Sequence, residues 1–81
     1  MKIHSIWESK KPVIDKYTIV FEPETHRGIK YWPFLGMSEG GRSVSMFGEL
    51  KQTPNRYLGK KIQFEDLSEE TQKHIKWRLD Q

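Results

Sequence analysis

The chain has 81 residues, with 14 Lys and Arg against 11 Asp and Glu and a formal net charge of +3. This length fits one compact domain, residues 1–81, whose core must use most of the apolar side chains. The absence of cysteine excludes disulfides, thiolate metal sites and a cysteine nucleophile. No apolar run reaches the roughly 18 residues of a membrane span. The N-terminus also lacks the apolar stretch of a signal peptide, so we expect a cytoplasmic protein with no membrane partner.

Alternating apolar residues predict four to five short strands before a C-terminal helix. The clearest alternation places Tyr17, Ile19 and Phe21 on one face, and Pro23–Gly28 then forms a hairpin loop. Pro33 cannot donate to a strand ladder, so its strand is expected at a sheet edge or at a bulge. The predicted strands cover residues 13–22, 29–37, 43–50 and 60–64, with a short fifth strand at residues 2–7.

One helix is predicted at the C-terminal end. It begins near Ser68, which can cap the first turn, or at Asp66, which would form a capping box with Glu69. Trp77 lies off its apolar stripe, which consists of Leu67, Thr71, Ile75 and Leu79. Short antiparallel strands with one terminal helix indicate an α+β fold. We expect a small curled antiparallel sheet or an SH3-like barrel of four to five strands with one C-terminal helix; a flat sheet with the helix across one face is the alternative.

The motifs that suggest chemistry are weak in their context. Gly36–Gly40 matches G-x-S-x-G around Ser38, but no helix pattern follows and the chain is far shorter than the hydrolases that use it. Gly40–Ser43 could offer amides to a phosphate, but it lacks the lysine of a P-loop. The three histidines do not have metal-site spacing. We therefore expect a protein that is not an enzyme, with no catalytic residue, no metal and no cofactor.

The run Tyr31-Trp32-Pro33-Phe34 carries rings on both faces of its strand. One face must enter the core, and the other is either covered or available to a partner. Exposed rings close to Arg27 and Lys30 can stack unpaired bases or form a hot spot for a protein. Trp77, beside Lys73 and Lys76 on the helix, is a second candidate.

Several segments resemble small bacterial proteins of unknown function that occur on phages and plasmids. The segments are Tyr17–Glu22, Phe34–Ser38, Phe47–Glu49 and Leu58–Ser68. The resemblance spans roughly residues 17–79 and departs from the pattern between Thr25 and Trp32. It implies a compact fold and a mobile-element context, and it implies no catalytic or binding residues.

Two functions follow as hypotheses. The first is a non-enzymatic module that binds a host protein through Trp32, Phe34 and the open edge of the Pro33 strand, with Trp77 as a second contact. The alternative is a small nucleic-acid-binding domain in which Tyr31 or Trp32 stacks bases. It ranks second because the charges are mixed along the chain. Its phosphate contacts would come from Lys10, Lys11, Lys16, Arg27, Lys30, Lys60 and Lys61. The sequence leaves the oligomeric state open.

Overall fold

The computed structural model describes residues 2–11, 16–39 and 44–80, with the backbone alone for residues 44–47. Within these ranges the chain forms six strands and one α-helix. The strands are β1 (Ile3–Glu8), β2 (Tyr17–Phe21), β3 (Glu24–His26), β4 (Ile29–Met37), β5 (Val44–Leu50) and β6 (Lys60–Ile62). The helix is α1 (Glu69–Leu79), and 3₁₀ turns span Arg56–Leu58 and Phe64–Asp66.

All six strands belong to one antiparallel sheet. Its order from edge to edge is β5, β4, β2, β1, β6, and β3 pairs with the N-terminal end of β4. The first strand of the chain therefore lies inside the sheet, between β2 and β6. The α+β class with one C-terminal helix is confirmed. The described strands number six rather than four or five, and no pairing among them joins β5 to β6, so the sheet is not closed into a barrel.

Pro33 does not lie on an edge strand, which corrects the first of the two expectations for it. β4 pairs with β2 on one side and with β5 on the other. The β2 ladder ends at the pair Val20–Phe34, and the β3 ladder begins at Glu24–Tyr31 with its register displaced by one residue. Pro33 lies at this interruption, where the ladder requires no amide donor.

Helix α1 packs on one face of the sheet through the predicted stripe. Ser68 is the N-cap, and its hydroxyl accepts from the Thr71 amide at 3.2 Å. The alternative start at Asp66 is wrong, because the Asp66 carboxylate accepts from the Gln63 amide and caps the 3₁₀ turn. The buried cluster on this face comprises Ile6, Tyr17, Ile19, Phe21, Leu35, Met37, Leu67 and Ile75.

The opposite face is covered by the connection between β5 and β6. Because these strands are the two edges of the sheet, residues 51–59 must cross it. Leu50 and Leu58, near the ends of this crossing, pack against the buried residues Trp7, Val20 and Trp32, and Pro54 in its middle is buried. We call residues 51–59 the crossing segment.

The boundaries predicted for the other strands and loops agree with the structure in part. The strand at residues 29–37 is confirmed, whereas the last strand ends at Ile62 because Phe64 begins a 3₁₀ turn. The loop predicted at Pro23–Gly28 is shorter in the structure. Glu24–His26 form β3, and only Arg27 and Gly28 form the turn that leads into β4. Residues 13–15 of the strand predicted at 13–22, and Ser43 of the strand predicted at 43–50, lie outside the described residues.

Candidate functional site

An open groove of about 590 Å³ lies where the crossing segment meets β1 and β6. We call it the basic groove, because among the described residues that line it there are four cations and no Asp or Glu. These residues are His4, Trp7, Lys10, Pro54, Asn55, Arg56, Gly59, Lys60 and Lys61.

The local structure fixes where the cations of the groove lie. Lys60 and Lys61 belong to the edge strand β6; Lys61 lies directly across from Trp7, and Lys60 lies across from Glu8. Side chains that lie opposite each other in an antiparallel pair share a face of the sheet. On the other wall, the Asn55 side-chain oxygen accepts from the Tyr57 amide at 3.0 Å and caps the turn that carries Arg56.

Gly59 closes the groove at the start of β6. Its φ of +125° lies where only glycine is commonly found. A Cβ at this position would lie 2.0 Å from the Glu8 carbonyl oxygen. The backbone of Gly59 therefore packs directly on the end of β1, and this contact sets the entry of both lysines into the sheet.

The floor of the groove is apolar and held in place by hydrogen bonds. Trp7 is 7% exposed, so only a margin of its indole is accessible. Its Nε1 donates to the buried Ser5 hydroxyl at 2.8 Å, and Ser5 is also paired with His4 Nδ1 at 3.0 Å. His4 itself lies in a β-bulge between the pairs Ile3–Phe21 and Ser5–Val20. Bulges reorient a side chain at the edge of a regular ladder, which accounts for the exposure of His4.

The cations of the groove have no carboxylate partner within 4 Å in the part of the chain that the structure describes. The ion pairs found among the described residues involve Lys16, which lies outside the groove and whose ammonium is 3.6 Å from the carboxylates of both Glu8 and Glu39. Closely spaced like charges repel, and a bound anion relieves this repulsion. The described lining of the groove therefore carries a concentration of positive charge.

Of the seven cations that the sequence nominated, the structure brings Lys10, Lys60 and Lys61 together. Lys16 is held by its two glutamates and lies 5.4 Å from the centroid of the Tyr17 ring. Lys11 is exposed and is not among the residues that line the groove.

The remaining two cations belong to the β3–β4 hairpin. Arg27 is in its turn, and the Lys30 ammonium lies 5.2 Å from the centroid of the Trp32 ring. Tyr31, in the same hairpin, is half-buried, and its hydroxyl donates to Glu24 at 2.7 Å. Neither the hairpin cations nor Tyr31 lines the basic groove.

The aromatic candidates differ sharply in exposure. Trp32 is 7% exposed because the crossing segment covers its face, and Phe34 is half-buried with its ring directly over Gly48. Trp77 is 54% exposed, as its position off the helix stripe predicts, and its ring centroid lies 5.7 Å from that of His74. Of these three rings, Trp77 has the largest surface available to a partner.

The G-x-S-x-G segment supplies a structural contact between the sheet and the helix. Glu39 accepts from the Tyr17 hydroxyl at 2.5 Å and from Thr71 Oγ1 at 3.2 Å. The Tyr17 hydrogen bond is the main reason that the pKa of Glu39 is lowered, and burial is the main reason that the pKa of Tyr17 is raised. Ser38 follows the end of β4. Gly36 and Met37 of the motif are buried at the end of β4. Its last residue, Gly40, lies outside the described residues with the rest of the glycine-rich residues 40–43 considered above for phosphate.

Sequence reasoning missed Arg56, Pro54, Asn55 and His4. The local signal that could have pointed to Arg56 is its position two residues before Leu58-Gly59-Lys60-Lys61, in a segment that joins two strands. Only the topology brings that segment over Trp7.

Among residues 2–11, 16–39 and 44–80, no group of three or more His, Asp or Glu is placed to hold a metal ion. The helices described are too short or too polar to cross a bilayer. Comparison of the chain with protein-family models, with curated proteins and with solved structures finds no match in any of the three. The resemblance to phage and plasmid proteins therefore stays a prediction.

Proposed function

We propose that this protein binds nucleic acid and that the basic groove holds the phosphate backbone. The observation that carries the proposal is the convergence of Lys10, Arg56, Lys60 and Lys61 on one groove whose described lining has no carboxylate. Lysine and arginine are the main side chains that contact phosphates in complexes with nucleic acid.

The spread of the cations favours a polyanion over a single small anion. They come from the segment that follows β1, from the turn at Arg56 and from β6, so three separate parts of the chain contribute cations to the groove. A chain of phosphates can meet several of them at once, and each contact releases counterions. Another cavity, at the β3–β4 hairpin, contrasts with this one because its lining includes both Glu49 and Lys51.

The apolar parts of the groove favour nucleic acid over an acidic polypeptide. The accessible margin of the Trp7 indole is an apolar part of the lining, beside the buried Pro54 and among the cations. Tyr57, next to Arg56, is 50% exposed. Aromatic side chains beside cations suit a ligand that alternates phosphates with flat bases.

Binding of labelled oligonucleotides across a salt series tests the proposal. The double variant Lys60→Gln/Lys61→Gln should weaken binding about tenfold at low salt, since two exposed charge pairs contribute roughly 1–2 kcal/mol. It should also reduce the slope of log K against log salt by about 0.7 for each lost contact with a single strand.

The matched control is Lys73→Gln/Lys76→Gln, which makes the same change of charge on exposed residues of α1. The control should bind as the unmodified protein does. Equal losses in the two double variants would show that net charge matters and the groove does not. Wild-type affinity that is independent of salt would rule out phosphate contacts.

Protein binding through α1 is the second candidate function. The observation that favours it is the exposed indole of Trp77 with Lys73 and Lys76 on the same helix. Exposed aromatic residues are typical anchors of protein interfaces. A partner captured by the wild-type protein should be lost with Trp77→Ala and retained by the Lys60→Gln/Lys61→Gln variant. Capture that survives Trp77→Ala would rule out this contact.

A further inference from the structure

The basic groove continues into a second cavity. This cavity, of about 350 Å³, has His4 and Lys61 in its lining, as does the basic groove. It lies beyond the end of β6, which pairs only with Ile6–Glu8 of β1. On that side, residues Ile3–Ser5 of β1 have no partner strand among the described residues. The two cavities therefore adjoin at His4 and Lys61, beside β1, and we call them together the recess.

The shape and lining of the recess favour the binding of single-stranded over double-stranded nucleic acid. In a duplex the bases are stacked inside and the phosphates project outward, so a duplex can reach the rim cations but cannot apply a base to a recessed apolar floor. A single strand has unpaired bases, and one of them can meet the accessible margin of Trp7 while its phosphates stay at Lys60 and Lys61. The 590 Å³ of the basic groove falls within the range typical of pockets for one small-molecule-sized unit.

We propose that the ligand of this recess is single-stranded nucleic acid, with one unstacked nucleotide in the basic groove and the following nucleotides passing His4 and Lys61 into the second cavity. This inference rests on the proposed function. Glu65 lines the far part of the second cavity, where its carboxylate repels phosphate. β1 is about 20 Å long at roughly 3.3 Å per residue. The footprint is therefore short, about four nucleotides, the lower end of the range for small single-strand-binding folds.

Fluorescence anisotropy with labelled oligothymidylates of increasing length, and with a duplex of mixed sequence beside its own single strand, tests this inference at low salt. We expect the affinity to rise steeply up to about four nucleotides and slowly thereafter. The single strand should bind at least about tenfold more tightly than the duplex. Lys61→Gln should weaken single-strand binding about twofold to fivefold, since one charge contact is lost, whereas Lys51→Gln, at the cavity of the β3–β4 hairpin, should leave it unchanged.

A second readout follows the floor of the groove. In a Trp77→Phe background, a nucleotide against the Trp7 indole should change the remaining tryptophan emission on addition of a single strand, and a duplex should not change it. Duplex binding that is as tight as single-strand binding would overturn this inference and leave the proposed function standing. No binding of either nucleic acid at low salt, or tighter binding of polyglutamate than of the single strand, would overturn both.

Discussion

Replacement of Gly59 by alanine should destabilise the protein more than the same replacement at Gly28 or Gly48. Gly59 lies where the crossing segment enters β6, and its backbone contacts the end of β1. The new Cβ would lie 2.0 Å from the Glu8 carbonyl oxygen and 2.8 Å from the carbonyl carbon. Both of these atoms belong to backbone inside the sheet, so they cannot move aside as a flexible side chain would.

Two terms set the size of the effect. A backbone conformation reserved for glycine costs about 1–3 kcal/mol when another residue occupies it, and a forced steric overlap costs about 1–3 kcal/mol more. Because the overlap is between backbone atoms and the new methyl group, we expect a total near the upper end, about 4–6 kcal/mol. A domain of this size has a free energy of unfolding of about 4–12 kcal/mol.

Urea denaturation and thermal melting followed by circular dichroism measure the change. Gly59→Ala should lower the melting temperature by at least about 15 °C or leave the chain unfolded at room temperature. Gly28→Ala is the matched control, because φ is +78° there and nothing lies within 4 Å of the added Cβ. It should lose only about 1 kcal/mol, the usual penalty for a left-handed conformation. Equal stability losses in the two variants would refute the argument from backbone contact.

Three further substitutions test other parts of the structure. Ser68→Ala removes the hydroxyl that accepts from the Thr71 amide and should cost about 1 kcal/mol in chemical denaturation; unchanged stability would show that the helix start does not depend on this cap. Trp77→Phe should remove most of the acrylamide-quenchable fluorescence, because the other two indoles are each only 7% exposed; quenching that persists would place an accessible indole elsewhere. The pKa of Glu39 is lowered from its usual 4.5 chiefly by the Tyr17 hydrogen bond. The charged carboxylate therefore stabilises the fold above the unfolded-state pKa, and this stabilisation disappears as the pH falls through the lower folded-state pKa. Glu39→Gln should thus lose less stability than the wild type between about pH 6 and about pH 3, and equal losses would contradict the sign.

The helix and the hairpin strands could be predicted because their signals are local. Ser68 precedes the apolar stripe at helical spacing, and alternation identifies β2 and β4 without reference to the rest of the chain. The position of Pro33 could not be predicted, because a residue without an amide hydrogen fits either an edge or an interrupted ladder. Only the pairing of β4 with both β2 and β5 distinguishes the two.

The candidate site was predictable only in part for the same reason. Lys60 and Lys61 are adjacent in sequence, so both could be predicted as phosphate contacts without knowledge of the sheet topology. Arg56 joins them only because the crossing segment returns over the sheet, and that path depends on which strands form the edges. The burial of Trp32 has the same origin, since the segment that covers it lies far along the chain.

The central position of β1 joins the two ends of the described chain during folding. β1 needs β6 to complete its hydrogen bonds, and β6 follows every other strand in sequence. During synthesis from the N-terminus, one side of β1 therefore stays without its native partner until most of the chain has left the ribosome. Such distant pairings slow the search for the native state relative to a helical protein of equal size. The groove beside them requires this pairing, because Lys60 and Lys61 of β6 and Trp7 of β1 all line it.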